Sequence, residues 1–567
     1  MAAKLDLIFL WHMHQPDYRL RGGDGAAGEY VLPWVYLHAI KDYTDMVAHL
    51  ERHPGVRAVV NFVPTLVEQI ADYVDQYRTG RMRDPLLRLL AKRDYDHLTA
   101  EERGLILESC FRCNHQTMLQ PFPHYKRLHD LYKSLENQGE VGLSYLSGSY
   151  FSDLITWYHL VWFGESERRR QPVLVSMLAK GEGFDHDDRA RLLRLIGDVM
   201  AKLIERYRAL AASGRIELSA TPYSHPLGPL LLDLKSAREA LPDVPLPESP
   251  EYPGGRSRFQ TQVERALIKH RETFGVSPEG MWPAEGALST GLLQILGAAG
   301  VRWAASSEGV LANSLRHGYG SLPGRNRYVY RPYRVDSAPG ITVFFRDERL
   351  SDLIGFEYSK WHGRDAAAHF IGQLESIRNQ APANEPPLVC VILDGENAWE
   401  YYPYNGFFFF DDLYATLERH PDIRTTTFGE YLARNPTNWD HVPSLVAGSW
   451  VYGTLSTWVG DRDKNRAWDL LCAAKQSYDR VMAAETLTEA ERMAAVQQLA
   501  VCESSDWFWW FGDYNPTGVV ASFDRLFRLN LKRLYELLKL PSPADIDVPL
   551  SRGGGAPESG GTMRRAT

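Results

Sequence analysis

A chain of 567 residues with a net charge of −8 and both signs mixed along its length offers no electrostatic case for nucleic acid or an anionic membrane, and favours a neutral partner. It exceeds one typical domain, and its 44% hydrophobic residues can bury a sizeable core. The cysteines, Cys110, Cys113, Cys390, Cys472 and Cys502, make no disulfide framework. The CxxC of CFRCNHQ has no second pair, and Asn114 breaks the CxxCH of haem attachment.

The N-terminal MAAKLDLIFLWHMHQPDY has a short apolar stretch and no small-residue cleavage site, so it is not read as a signal peptide. No run approaches the ~18 apolar residues of a membrane span. A soluble, cytoplasmic protein is expected. Buried strands are expected at LDLIFLW (5–11), VRAVVNFV (56–63), RIELSAT (215–221), EGMWP (279–283), VRWAAS (301–306), ITVFFR (341–346) and LVCVILD (388–394). Helix-like stretches such as 260–275 and 291–300 lie between them, an alternation that predicts a parallel α/β architecture. The strands end, in order, at His12 and His14, Asn61, Glu217 to Thr221, Glu285, Ser306 and Ser307, Arg346 and Asp347, and Asp394 and Glu396. A barrel gathers such ends onto one face, whereas an open sheet brings only a few together. The fold expected is therefore a TIM-like barrel of about seven strands over residues 1–435, with a helical insertion at about 64–214. A second, Pro-rich excursion spans 236–258, and both excursions leave from strand C-terminal ends, where they can roof the active face. Residues 436–540 are expected to form a C-terminal helical domain contributing to the active site, and 541–567 a disordered tail.

Two stretches carry the acids. In GMWPAEG (280–286) a strand ends at Trp282, Pro283 stops it, and Glu285 sits at the mouth. In CVILDGENAWEYYPYNG (390–406) a fully apolar strand runs into Asp394 and Glu396. A bare acid there is costly unless paired, and two neighbouring carboxylates raise each other's pKa, as a general acid requires. A capping network or an oxygen-rich cation loop are the plainer readings of these acids. Trp399 follows them, and a flat aromatic face beside carboxylates suits sugar binding. Trp458 in SWVYGTLSTWVG (449–460) and the tryptophans of SSDWFWWFGDYN (504–515) repeat the pairing of aromatics with polar groups. On a helix, positions 506, 509, 510 and 513 share a face. Paired carboxylates from two strands of one barrel face are what glycoside hydrolysis requires, about 5–5.5 Å apart in the retaining case.

In order, HMHQP (12–16), ELSATPYSHP (217–226), GMWPAEG, LDGENAWEYY (393–402), and STWVG with SSDWFWWFGD (456–460, 504–513) resemble the motifs of glycoside hydrolase family 57, in its α-amylase, amylopullulanase and 4-α-glucanotransferase branch. Gln15 before Pro16 separates the chain from the branching enzymes, which typically carry Leu there. The resemblance implies an incomplete (β/α)7 barrel followed by helices, acting on α-glucans with retention and with no metal or cofactor in the chemistry. By motif, Glu285 matches the nucleophile and Asp394 the general acid/base. His12, His14, Glu217, Glu396, Asp506 and Trp509 match positions lining the sugar subsite, with Trp282 as a nearby wall. Gln15, Trp399 and Trp458 are counted with the substrate-binding set. The chain departs from relatives at GDYN (512–515), where a second acid and a histidine are frequent, and in SATPYSHP after Glu217. Both departures bear on acceptor preference.

Two alternatives stand beside this reading. The HxH of His12 and His14, with His225, can begin a metal-dependent hydrolase site, although the strand ends at 285, 306 and 346 add no histidine. A non-catalytic glucan-binding protein can share the fold.

Overall fold

The computed structural model describes residues 4–21, 28–382 and 385–555. Seven parallel strands form its centre: β1 (Leu5–Met13), β2 (Ala58–Phe62), β3 (Ile216–Ala220), β4 (Gly280–Met281), β5 (Trp303–Ser307), β6 (Ala338–Arg346) and β7 (Leu388–Asp394). Their spatial order is β7-β1-β2-β3-β4-β5-β6. No ladder joins β6 to β7 among the described residues; Asp347 N–H donates across the gap to Cys390 O at 2.8 Å. The result is the expected incomplete (β/α)7 barrel. Three short strands of the same sheet, Tyr333–Val335, Ile423–Thr425 and Asp440–Val442, escaped the sequence reading, as did the two-residue antiparallel pair Arg19–Leu20 and Glu29–Tyr30. At two or three residues each they are too short to show a period.

The pleat sorts the strand residues into two cores. Ile8, Leu10, Val59, Trp303, Ala305, Phe344, Cys390 and Ile392 point inward, onto Phe428, Tyr431 and Leu432. Leu7, Phe9, Trp11, Val60, Phe62, Val389 and Val391 point outward beneath the helices. Because successive side chains alternate, the inward phase runs on through His12 and His14, Asn61, Thr221, Arg346 and Asp394 at the C-terminal ends. Both faces being apolar explains why these strands read as continuous hydrophobic runs.

The insertion between β2 and β3 is helical and ends in the 27-residue helix His186–Ala212, opened by a capping box between Asp185 and Asp188. After the barrel come the helices Arg462–Ala483, Glu489–Cys502, Asp506–Trp510 and Thr517–Leu537. Isolated bridges Leu288–Gly448 and Pro226–Ser504 stitch this region onto the barrel mouth. Beneath the second bridge Arg258 donates two hydrogen bonds to Glu503, at 2.8 and 2.7 Å.

Two details differ from expectation. The helix at 506 stops at Trp510, since Phe511 is extended at ψ 151°, so Asp513 does not share its face. The tail, expected to be disordered from 541, is packed as far as residue 555: Ile546 and Leu550 are buried, and Leu550 N–H donates to Asp524 at 2.7 Å. Glycine content hid those two apolar anchors, and residues 556–567 lie outside the described residues. Among the described residues no helix is long and apolar enough to cross a membrane.

Candidate active site

A cavity of about 500 Å³ opens at the C-terminal face of the barrel, where barrel enzymes place their chemistry. His12, His14, Gln15, Glu285, Asp394, Glu396, Asp506 and Trp509 line it. Eight of the twelve expected site residues therefore meet in one place, delivered by β1, β7, the turn after β4 and the C-terminal region.

Glu285 sits in a tight turn with left-handed backbone, φ 59° and ψ 21°, a conformation that costs of order 1–3 kcal/mol for a non-glycine residue. Contacts from the C-terminal region hold it there. Trp450 N–H donates to Glu285 O at 3.0 Å, and Trp450 Nε1–H donates to Glu285 Oε2 at 3.0 Å. Ser505 Oγ lies 3.3 Å from Glu285 Oε1. Gly286 must be glycine: at φ +56° a Cβ would meet the Trp282 ring at 2.6 Å. Burial, then the negative charges of Asp506 and Asp394, pushes the Glu285 carboxyl up to about 8. Asp394 closes β7 opposite His12 in the β1 ladder. Burial pushes its carboxyl up to about 6, against a hydrogen bond of 2.8 Å from Asn397 Nδ2. Each acid thus sits near neutrality, the range suited to proton transfer.

The remaining polar groups form a shell around this pair. His14 Nε2 lies 2.9 Å from Asp506 Oδ1, and its backbone N–H donates to Glu396 Oε1 at 3.3 Å. Burial, then Asp394 and Asp42, pushes the Glu396 carboxyl well up. Gln15 accepts from Tyr18 OH at 2.9 Å. His12 is buried and held neutral, its pKa lowered to about 3 by burial and by His14. Trp509 and Trp510 line the cavity with aromatic surface, and Trp34, Trp162, Arg112 and Tyr401 line it too.

Four expected sugar contacts lie elsewhere. Glu217 has the inward phase but pairs with Val59, level with Leu10. That is two residues, or about 7 Å, below His12. Its carboxylate accepts from Trp303 Nε1 at 2.6 Å and from Gly429 N–H at 2.8 Å, so it closes the barrel floor. Trp282 is fully buried and packs edge-on against Trp450. Trp458 backs Trp509 with ring centroids 5.8 Å apart. Trp399 packs on Trp11 and ties down the Asp394 loop by donating from Nε1 to Gly395 O at 2.8 Å. These tryptophans support residues that reach the cavity, a distinction that depends on which side of each ring the chain passes.

Sequence reasoning left Asn61, Arg346, Trp450 and Ser505 out of the site. Asn61 and Arg346 carried a signal, since each ends a strand on the inward phase. Trp450 stood in an aromatic cluster read equally as packing or substrate contact, and Ser505 carried no signal, because the place of both depends on how the C-terminal region docks.

His14, His225 and Asp506 place one ligand atom each within 4.8 Å of one another. Yet the His14 and His225 rings stack face to face, 3.8 Å between centroids and 15° between planes. Imidazole lone pairs lie in the ring plane, so stacked rings direct them along near-parallel lines instead of toward one ion at ~2.0–2.1 Å. His12 spends Nδ1 on Asn61 Oδ1 at 2.7 Å. This donor set does not fit a shared cation.

The sequence model of glycosyl hydrolase family 57 matches residues 8–439. No curated protein sequence matches the chain. Among solved structures, the GH57-type branching enzyme from Pyrococcus horikoshii is 17% identical, with TM-score 0.55, covering 94% of this chain and 88% of its own. The α-amylase AmyC from Thermotoga maritima is 13% identical, with TM-score 0.56 and coverage of 94% and 93%. The 4-α-glucanotransferase from Thermococcus litoralis is 13% identical, with TM-score 0.51 and coverage of 94% and 60%. At such identity these neighbours share the fold; the family match over most of the chain establishes that it belongs to glycosyl hydrolase family 57.

Proposed function

We propose that the protein is a retaining glycosidase or transglycosylase of α-glucans, acting on α-1,4 and possible α-1,6 linkages in cytoplasmic glycogen or maltodextrin turnover. The observation that carries this reading is the placement of Glu285 and Asp394 in one aromatic-walled cavity at the C-terminal face of the barrel. Glu285 attacks the anomeric carbon while Asp394 protonates the leaving oxygen. The glycosyl-Glu285 ester is then opened by water or by a sugar hydroxyl, with Asp394 as base. His12, His14, Asp506 and Glu396 hold sugar hydroxyls around the reacting ring, and Trp509 stacks on its apolar face. The branching enzyme, amylase and glucanotransferase among the structural neighbours are all in keeping with an α-glucan substrate.

A product time course on maltoheptaose, read by mass spectrometry, tests this. Shorter sugars alone identify a hydrolase, and a ladder extending both ways a transglycosylase. Glu285→Gln must abolish either pattern; a variant with substantial turnover refutes the assignment. Unaltered maltoheptaose that nevertheless binds wild type favours the non-catalytic alternative.

A further inference from the structure

Beyond the two acids, a line of hydrogen bonds runs from the barrel wall to Glu285. Asn61 Oδ1 faces His12 Nδ1 at 2.7 Å, His12 Nε2 faces His225 Nε2 at 3.2 Å, His225 Nδ1 faces Ser505 Oγ at 2.8 Å, and Ser505 Oγ faces Glu285 Oε1 at 3.3 Å. Resting on the assignment of Glu285 as nucleophile, we propose that Ser505 and His225 form a proton relay that accepts the proton of Glu285 as it becomes the attacking carboxylate.

Hydrogen counting gives the line its direction. Asn61 Nδ2 donates to Ser219 Oγ at 3.0 Å, which turns Oδ1 toward His12. His12 must then carry its hydrogen on Nδ1 and leave Nε2 as acceptor. The contact between the two histidines holds one hydrogen, so it belongs to His225 Nε2. His225 Nδ1 is left as an acceptor, and the Ser505 hydroxyl donates to it. With Glu285 protonated that uses the single hydroxyl hydrogen and Ser505 Oγ accepts from the carboxyl, whereas with Glu285 ionised the hydroxyl donates to Oε1 across the same 3.3 Å. Burial favours the protonated carboxyl, so at rest the line reads Glu285 acid, serine hydroxyl, neutral histidine.

Ionisation of Glu285 requires two short transfers. The carboxyl proton passes to Ser505 Oγ while the serine proton passes to His225 Nδ1. Glu285 becomes carboxylate, Ser505 remains a hydroxyl, now donating to it, and His225 becomes imidazolium. No proton leaves the site. Burial, with His14 and His12, holds the free His225 imidazole well below its usual range, so it rests neutral. The relay forms imidazolium and carboxylate together, His225 Nδ1 being 4.0 Å from Glu285 Oε1, so it creates no net buried charge. His14 stacked on His225, Asp506 paired to His14, and Asp394 are the other ionisable groups acting on this pair, and Arg346 lies over the Trp450 ring. His225 and Glu285 both have left-handed backbone, φ 61° and 59°; strain of this kind persists where surrounding contacts impose a functional placement.

The relay answers a difficulty in the acid pair. Burial raises both carboxyls, Glu285 further than Asp394, which favours a protonated Glu285 over a protonated Asp394. Chemistry needs the reverse order. Moving the Glu285 proton to His225 forms the carboxylate without exchange of a proton with solvent.

α-Maltosyl fluoride isolates the step, because its leaving group requires no proton from Asp394. For wild type, kcat/KM is expected to fall through about pH 8 only as far as a plateau that holds below pH 7, since the relay conserves protons. In His225→Gln, which keeps a hydrogen-bonding group but accepts no proton, kcat/KM is expected to fall tenfold per pH unit below about 8. Ser505→Ala is expected to match it, and Ser505→Thr to restore the wild-type profile. A His225→Gln profile lowered by one factor at every pH would show a structural role and overturn the relay, as would a wild-type profile that keeps falling tenfold per unit below pH 7. Glu285→Gln serves as the control. If it retains fluoride release, the nucleophile assignment fails and the relay with it; if it is inactive while the His225→Gln profile shows no limb of its own, the relay alone fails.

Discussion

Replacing Asp394 by Asn tests the acid/base role with little structural disturbance. The side chain is 8% exposed, and Asn397 Nδ2 donates to its Oδ2 at 2.8 Å. The isosteric amide keeps a carbonyl oxygen for that donor, so the fold should lose less than about 1 kcal/mol. What disappears is the proton. Positioned general acid catalysis contributes roughly 10²–10⁴-fold, equivalent to about 3–5 kcal/mol at 1.36 kcal/mol per tenfold. On maltoheptaose kcat/KM should fall by that factor. On α-maltosyl fluoride the first fluoride should leave in a burst at close to the wild-type rate, followed by slow turnover as the glycosyl-enzyme waits for a base. Azide needs no base, so it should restore turnover and yield the α-glycosyl azide expected of retention. The pH profile supplies the sign. Asp394 must be protonated to act, so wild-type cleavage of maltoheptaose should decline as pH rises through about 6, and the variant should lose that alkaline limb. Equal losses on maltoheptaose and on the fluoride, with no burst and no azide product, would refute the role.

Glu217→Gln should cost stability and spare turnover: an amide nitrogen replaces an oxygen that accepts from Trp303 or Gly429, a loss of about 1–3 kcal/mol by urea unfolding, with kcat/KM within threefold of wild type. A hundredfold loss of turnover would instead place it on the substrate. Glu503→Gln strands the buried Arg258 guanidinium, and loss of one partner from such a pair costs about 3–5 kcal/mol. Against the opposing effect of burial, Arg258 and the hydrogen bonds of Tyr252 and Gln262 hold the Glu503 carboxyl below its ordinary 4.5. Its contribution is therefore present above pH 4.5 and lost as pH falls through the lower folded value. Wild type and variant should converge in stability at acid pH, and a constant difference across the pH range would refute this account.

The barrel was legible in the sequence because its strands are buried on both faces and written in continuous apolar runs, each broken at its C-terminal end by a residue costly to bury. LVCVILD followed by GEN, and LDLIFLWHMHQP, each state a strand, its direction and a candidate site residue. The short strand Gly280–Met281 is legible only because Trp282 and Pro283 close it before Glu285. Motif order then named the family and the acid pair. Depth was not legible. Glu217 and Asn61 both belong to the inward phase, yet the register of β2 against β1 and β3 puts one on the floor and the other beside His12. Nor does a sequence say which tryptophan of a cluster meets the cavity and which stands behind it.

By itself the sequence determined the parallel barrel, its inward-facing polar rim and the two carboxylates, since these follow from local period and burial along single strands. Only the tertiary structure decided that Trp450 and Ser505, from a segment that begins after the barrel has ended, grip Glu285 across the mouth. It also decided that His12 and His225, 213 residues apart in the chain, share a hydrogen. The physical reason is that a carboxyl's proton affinity depends on burial and on the groups converging on its oxygens, and these come from segments whose meeting is set by packing and not by sequence neighbours.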